Sequence, residues 1–373
     1  MRFVFWIAAA GIAYTYLGYP LWLWIRHRWF PRPTQLAPYT PSISIVLVVR
    51  DEAAVLSQKL NNLLELDYPA GLSEIIVVSD GSRDATNDIL SDFAKRPGVR
   101  IILNPLSRGK AAGLNDAIKM ASGEIVVFTD ARQKFETAAV RSLMENFADR
   151  DVGCASGELM LGDPTSGEST RGMGLYWKIE KTIRELESCT GSVIGATGAI
   201  YAVRRNLLLP ISPETILDDV LIPMNVIRQG GRVIFDSRAR AWDVPDLGGK
   251  KEFSRKVRTL SGNYQLLQIS PWLLSAANPE RFSFVSHKLL RLVVPFALCA
   301  ILCTSFFLTE PVYRAALIIQ VVFYAFSIWG LIGPKHGPLA RLCNAASTLV
   351  VLNMAAVVAF VNFITRRKVA WAR

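Results

Sequence analysis

Long apolar runs at both ends of the chain limit its fold more than any other feature. Residues 3–25 contain no Asp, Glu, Lys or Arg and include Trp6, Tyr14, Tyr16, Trp22 and Trp24. A helix needs roughly 20 apolar residues to cross the hydrocarbon core of a bilayer, so this run suffices. A secretory signal would have a shorter apolar region that ends at a small-residue cleavage site. Residues 289–308, 312–332 and 342–364 are three further runs of spanning length. Arg291 and Arg314 stand near the starts of the first two, where long side chains reach the interface. Hydrophobic residues make up 51% of the 373 and the mean hydropathy is +0.27, too apolar for an ordinary soluble enzyme.

The expected organisation follows. Residues 1–28 form an N-terminal transmembrane helix, and 29–41 a Pro-rich linker. Residues 42–270 form a soluble domain, and 271–288 an interfacial segment with Pro271-Trp272-Leu273-Leu274 lying on the membrane. Residues 289–364 hold three transmembrane helices, and 365–373 a basic tail.

The net charge is +11. An anionic membrane face and an anionic nucleotide account for it, so nucleic acid is not an expected partner. Arg26, His27, Arg28 and Arg32 follow the first span and place the soluble domain in the cytoplasm. Three further crossings would then leave Arg366, Arg367 and Lys368 on the far side, against the same rule. Either one C-terminal segment does not cross, or the rule fails at this end. The five cysteines show neither a disulfide framework nor zinc spacing, which suits a reducing compartment.

The soluble domain alternates strands and helices. Ser44-Ile45-Val46-Leu47-Val48-Val49 is a continuous apolar run suited to a strand buried on both faces. Strands are also expected at 74–78, 99–103 and 124–128, with helices at 52–65, 84–94 and 110–120 between them. The pattern gives βαβ units and an α/β sheet. The region from 151 to 277 is less regular, with helices expected at 173–187 and 220–229 and a strand at 232–235.

In open α/β sheets ligands bind beyond the carboxyl ends of the strands. Asp51-Glu52, Asp80-Gly81-Ser82 and Asp130 all stand there. Any one could be a turn or a helix cap; three together point to a nucleotide site. Asp130 is the expected metal ligand, because Mg²⁺ takes one or two carboxylates and shares the rest of its shell with substrate phosphates. Asp218-Asp219 could start a helix, or supply a general base that removes a proton from a hydroxyl. Gly195 to Ala199 offers small residues where a ligand can approach closely. Arg255 and Arg258 share a helical face and suit phosphate oxygens, although a basic membrane-surface patch would use the same residues. The three histidines lie at 27, 287 and 336, so a His-based triad or zinc site in the soluble domain is excluded.

These residues resemble the family 2 glycosyltransferases of the inverting GT-A fold, above all the membrane-embedded cellulose, chitin and hyaluronan synthases. Ile45-Val46-Leu47-Val48-Val49-Arg50-Asp51-Glu52 is similar to the opening strand and its Asn-Glu motif, with Asp51 in the Asn place. Asp80-Gly81-Ser82 resembles the uridine-binding motif, and Gly109-Lys110 with Asn115 resembles a helix start beside the nucleotide. Thr129-Asp130-Ala131-Arg132 resembles the Asp-x-Asp metal motif, and Leu217-Asp218-Asp219 the Glu-Asp motif that carries the catalytic base.

The resemblance implies a GT-A domain with transmembrane helices and Mg²⁺ or Mn²⁺ as cofactor. Its donor would be a nucleotide sugar, UDP-linked, and its acceptor a growing polysaccharide or a membrane lipid. Asp51, Glu52, Asp80, Lys110, Arg255 and Arg258 would hold the donor. Gly195, Thr197 and Gly198 would form the acceptor site. Asp219, with Asp218, would be catalytic, and Asp130 would bind the metal. The setting would be a bacterial plasma membrane, with the domain in the cytoplasm among membrane lipids.

Two departures stand out. Arg132 replaces the second metal-motif acid, and Thr259 stands where Gln-x-x-Arg-Trp has its Trp. In processive synthases that Trp helps hold the polymer. Few spans are present for a polymer channel, which a homo-oligomer or a secretion partner would supply. The departures also leave room for a non-catalytic scaffold on a degenerate transferase fold.

Overall fold

The apolar run at the head of the soluble domain forms β1 (Ile43–Val49), buried at every position. The computed structural model describes residues 1–162, 175–244, 249–333 and 337–367. β1 lies between two parallel neighbours, β2 (Ser73–Asp80) and β4 (Ile125–Thr129). β3 (Val99–Asn104) pairs in parallel on the outer side of β2. Helices α3 (Ala53–Leu64), α4 (Thr86–Phe93) and α5 (Lys110–Met120) make the crossovers. The order β3-β2-β1-β4 reverses direction between β1 and β4, which opens a crevice at their carboxyl ends.

α5 lies close on this sheet. A Cβ at Gly113 would stand 2.7 Å from Cγ1 of Val48. The close approach sets Lys110, the first residue of α5, over the crevice.

The sheet continues as a mixed one. β7 (Ile200–Arg204) runs antiparallel to β4, and β6 (Val152–Leu161) antiparallel to β7. β8 (Arg232–Asp243) then pairs in parallel with β6, and the two-residue β5 (Lys134–Phe135) closes the edge. The strand expected at 232–235 thus runs eight residues further, and β6 and β7 were not expected at all. Tertiary pairing overrides weak local preference here. One core packs α3, α4 and α6 (Ala139–Glu145) on one sheet face. The other packs α5, α8 (Asp218–Arg228) and α9 (Gly249–Ile269) on the opposite face.

The linker has no regular structure between 31 and 42. Before it, α1 (Arg2–Ala13) continues through a π-helical turn, Tyr14–Gly18, into α2 (Tyr19–Trp29). After the domain come a short turn at Pro271–Leu274 and α10 (Arg281–Phe284). Leu273 is buried in the domain core and Leu274 is exposed. A second π-helical turn, Val285–Leu289, leads into α11 (Leu290–Phe307). α12 (Pro311–Ile332) and α13 (Pro338–Ile364) follow. Among the described residues four helical runs are long and apolar enough to cross a membrane: Arg2–Trp29, Arg281–Phe307, Pro311–Ile332 and Leu342–Ile364.

The membrane-length helices join the domain through α7 (Leu175–Thr190), which packs on α2. The hydroxyl of Tyr19 donates to Glu187 Oε1 at 2.7 Å. The first two residues expected in this helix, Met173 and Gly174, and the tail beyond 367 lie outside the described residues.

Candidate active site

The crevice between β1 and β4 widens into a cavity of about 1190 Å³. Asp51 and Glu52 reach its wall from the end of β1, and Asp130 and Arg132 from the end of β4. Lys110 comes from α5, Asp219 from α8, and Arg255 and Arg258 from α9. Gly195, Thr197 and Gly198 line the side that faces α7.

Asp51 takes up a left-handed backbone conformation with φ of 54°. Its Oδ1 accepts from the Arg83 amide at 2.7 Å, which fixes the turn after β1 against the one after β2. Burial raises the Glu52 carboxyl above its usual range, a shift that Arg132 opposes and Asp130 reinforces.

Asp80 sits differently from what its motif suggests. It is fully buried and is not on the cavity wall. Its carboxylate accepts from Ser107 Oγ at 2.7 Å, from the Arg108 amide at 2.7 Å and from the Gly109 amide at 2.9 Å. In this structure it anchors the loop that starts α5 and thereby positions Lys110.

Lys110 links the two acidic motifs. Its ammonium lies 3.0 Å from Asp130 Oδ1 and 3.1 Å from Asp218 Oδ2. Burial works against that charge, but Asp130 and Asp218 hold it and raise the lysine pKa. Asp218 is buried off the cavity wall, so it acts on the site through Lys110. Asp219 is the member of the pair that faces the cavity. Burial, and then the Asp218 carboxylate beside it, push its pKa up to about 6.

Small residues make room for that carboxylate. A Cβ at Gly198 would stand 3.2 Å from Asp219 Oδ2. The loop is held to the base by the Ala196 amide, which donates to the Asp219 carbonyl at 2.7 Å. From the other side Arg184 donates to Thr197 Oγ1 at 2.6 Å and Ser156 Oγ at 2.8 Å.

Sequence reading missed Arg184, Lys59 and Lys288. Glu180, Arg184 and Glu187 fall at i, i+4 and i+7, a spacing that marks one charged helical face. Lys59 is buried under β4, where it donates to Thr129 Oγ1 at 2.8 Å and the Gln133 carbonyl at 2.6 Å. Burial lowers its pKa to about 7. No local pattern distinguishes it from a surface lysine of α3.

Asp130 fits a divalent cation that is shared with substrate phosphates. Its side chain is 40% exposed to the cavity, and only Lys110 touches it among the described ion pairs. Arg132 adds no ligand, because it is turned to Asp243 at 2.8 Å. Among the described residues no group of three or more His, Cys, Asp or Glu could hold a metal without substrate.

Comparison with known proteins finds one family over the core of the domain. Residues 44–209 match the family model described as glycosyl transferase family 2. This stretch, a little under half of the chain, is similar to that family. The chain is 26% identical over 236 residues to the poly-beta-1,6-N-acetyl-D-glucosamine synthase of Staphylococcus epidermidis, covering 62% of this chain and 56% of that protein. The enzyme of the same name from Staphylococcus aureus strain COL is 25% identical over 231 residues, covering 60% and 55%. The chain thus spans about half the length of the curated relatives it matches. A solved mannosyltransferase from Pyrobaculum calidifontis, in complex with GDP-Man and Mn²⁺, superposes with a TM-score of 0.75. That likeness covers 98% of this chain and 99% of the other at 22% identity, and it shows that the fold is GT-A-like.

Proposed function

We propose that the chain is a membrane-bound inverting glycosyltransferase that moves a sugar from a nucleotide sugar onto a growing glycan of the cell envelope or an exopolysaccharide. The observation that carries this reading is Asp219, a carboxylate with raised proton affinity facing a cavity that also holds Asp130, Lys110 and Arg258. The names of the staphylococcal relatives support polysaccharide as the product class. A cytoplasmic position of the domain is supported by Arg26, Arg28 and Arg32 beside the first span.

The donor lies at the carboxyl ends of β1, β2 and β4, with its nucleoside over the turns that carry Asp51 and Arg83. Lys110, Arg255 and Arg258 face its diphosphate. Asp130 would hold Mg²⁺ or Mn²⁺, which neutralises diphosphate charge when bound. Asp219 accepts the proton of an acceptor hydroxyl. The oxygen forms its bond to the anomeric carbon from the face opposite the diphosphate. The bond to the diphosphate breaks, and the leaving charge is taken up by Arg258 and Lys110.

Transfer to a lipid-borne acceptor is a second reading, and one observation favours it. His287 and Lys288, in the π-helical turn that leads into α11, line the same cavity as Asp219.

Asp219→Asn in the purified full chain tests the transferase reading. Transfer should fall by roughly 10³-fold or more while nucleotide binding is retained. Full transfer by that variant would remove Asp219 as the base. Assays with UDP- and GDP-linked sugars would identify the donor.

A further inference from the structure

One cation at the membrane end of the cavity, Lys288, makes no direct hydrogen bond or ion pair among the described residues. Lys288 belongs to the π-helical turn Val285–Leu289 that leads directly into α11. It lines the cavity that holds Asp219. The other cations on this wall are engaged. Lys181 pairs with Glu158 at 2.8 Å, and Arg184 is hydrogen-bonded to Thr197 and Ser156.

The acids nearby are engaged too. Glu187 receives His287 at 2.7 Å, and Glu180 receives His287 at 3.0 Å and Arg291 at 2.7 Å. Among the described residues Lys288 forms no hydrogen bond or ion pair through its ammonium. Glu180, Asp219 and Glu187 act on its charge from beyond contact distance, which leaves the ammonium itself open to direct contact with an anion.

The wall around Lys288 is part apolar and continuous with the membrane helices. Trp177 lines the cavity while 41% exposed, and Ile179 on the same helix is 42% exposed. That helix, α7, packs on α2. Lys288 stands in the first turns of the membrane-length run Arg281–Phe307, next to the domain, where lipid headgroups would lie.

We propose that Lys288 binds the phosphate of a lipid-linked acceptor. The lipid chain stays in the bilayer beside α2 and α11, and the attached sugar presents its hydroxyl to Asp219. An ammonium and a phosphate make a charge-assisted contact of the required polarity. The proposal rests on the reading of Asp219 as the base of a glycosyl transfer.

Binding by the full chain in neutral-lipid nanodiscs tests it without any turnover. The probes are farnesyl phosphate, farnesol and glucose 1-phosphate, measured on wild type, K288Q and K288R. Wild type should bind farnesyl phosphate at least ten-fold tighter than either other probe. K288Q should lose that preference and K288R should keep it. Unfolding temperatures of both variants report whether a loss reflects misfolding, and the K288R result decides where K288Q is unstable. Equal binding of farnesol and its phosphate, or a preference retained in K288Q, would overturn the proposal. Glucose 1-phosphate bound as tightly as farnesyl phosphate would overturn the lipid part of it. Because no sugar transfer is read, failure here is separate from failure of the transferase reading, which Asp219→Asn tests.

Discussion

Asp219 is held between opposing influences at the scale of a single carboxyl group. Burial and Asp218 raise its pKa to about 6, and Lys110 pulls it down. A base must be deprotonated to accept a proton, so the rate of transfer should rise with pH and level off above about 6. Below that point the rate should fall about ten-fold per pH unit. Initial rates at saturating donor from pH 4.5 to 8 measure the limb, and a flat profile would exclude this group. The same shift bears on stability. A carboxyl whose proton affinity is higher in the folded state costs stability above its folded pKa, and the cost vanishes below its unfolded pKa. For Asp219 it is fully present above about 6 and gone below the ordinary value of 3.8. Asp219→Asn removes this cost at pH 7. The inactive variant should therefore unfold at a higher temperature than the wild type at pH 7, with the gap closing near pH 4. Thermal unfolding at both pH values reads the difference.

At the scale of elements, the site is a loop clamped between two helices and a strand. The Gly195–Ala199 segment is tied to α8 through the Asp219 carbonyl and to α7 and β6 through Arg184 and Ser156. Gly198→Ala would place a methyl 3.2 Å from Asp219 Oδ2, closer than ordinary contact. The carboxylate must shift by a few tenths of an ångström, so kcat should fall roughly ten-fold while the donor KM stays within about two-fold. A steady-state kcat and KM split checks this, and a pure KM effect would contradict it. The sequence made some of these elements legible and hid others. β1, β2 and β4 are continuous β-branched runs, and such runs are strands in almost any context. β6 carries Gly153, Ser156 and Gly157, which signal no strand, and it is held by its pairing with β7 and β8. Gly157 is required there, since a Cβ would lie 2.4 Å from the Ala239 carbonyl oxygen. The acids at the strand ends were readable because topology fixes where they stand. Lys288 was not, because a lysine before an apolar run reads as an interfacial anchor, and only its place on the cavity wall distinguishes it.

Across the whole molecule, helix packing bears on the conflict between span count and charge. α1 and α11 run side by side, from Tyr14 beside Ser286 near the domain to Arg2 paired with Glu310 at the distal end. α12 turns back from Glu310 along α11, where Gln320 donates to the Leu298 carbonyl at 2.9 Å. Its far end thus returns toward the domain, and α13 starts there, with Ser347 donating to the Ser327 carbonyl at 2.6 Å. A helix of 27 residues is about 40 Å long, enough to cross to the distal side again. It does not end there. Phe363 stacks on Tyr264 of α9 at 5.1 Å, and Phe360 meets Phe296 in the first turns of α11 at 5.0 Å. α9 is the helix that puts Arg258 on the cavity wall, so α13 begins and ends at the level of the catalytic domain. Buried Ala355, Ala356 and Ala359 allow the close helix contact this course needs. Length and hydropathy cannot separate such a helix from a crossing one. With three crossings and α13 along the interface, Arg366 and Arg367 would share a side with Arg26 and Arg28, as the charge rule asks. A fluorescent protein that matures only in the cytoplasm should therefore glow when fused after Arg373. Alkaline phosphatase, active only outside, should be silent at that position and active when fused before Met1 behind an export signal. Phosphatase activity at the C-terminus would restore a fourth crossing and remove the packing of α13 on α9.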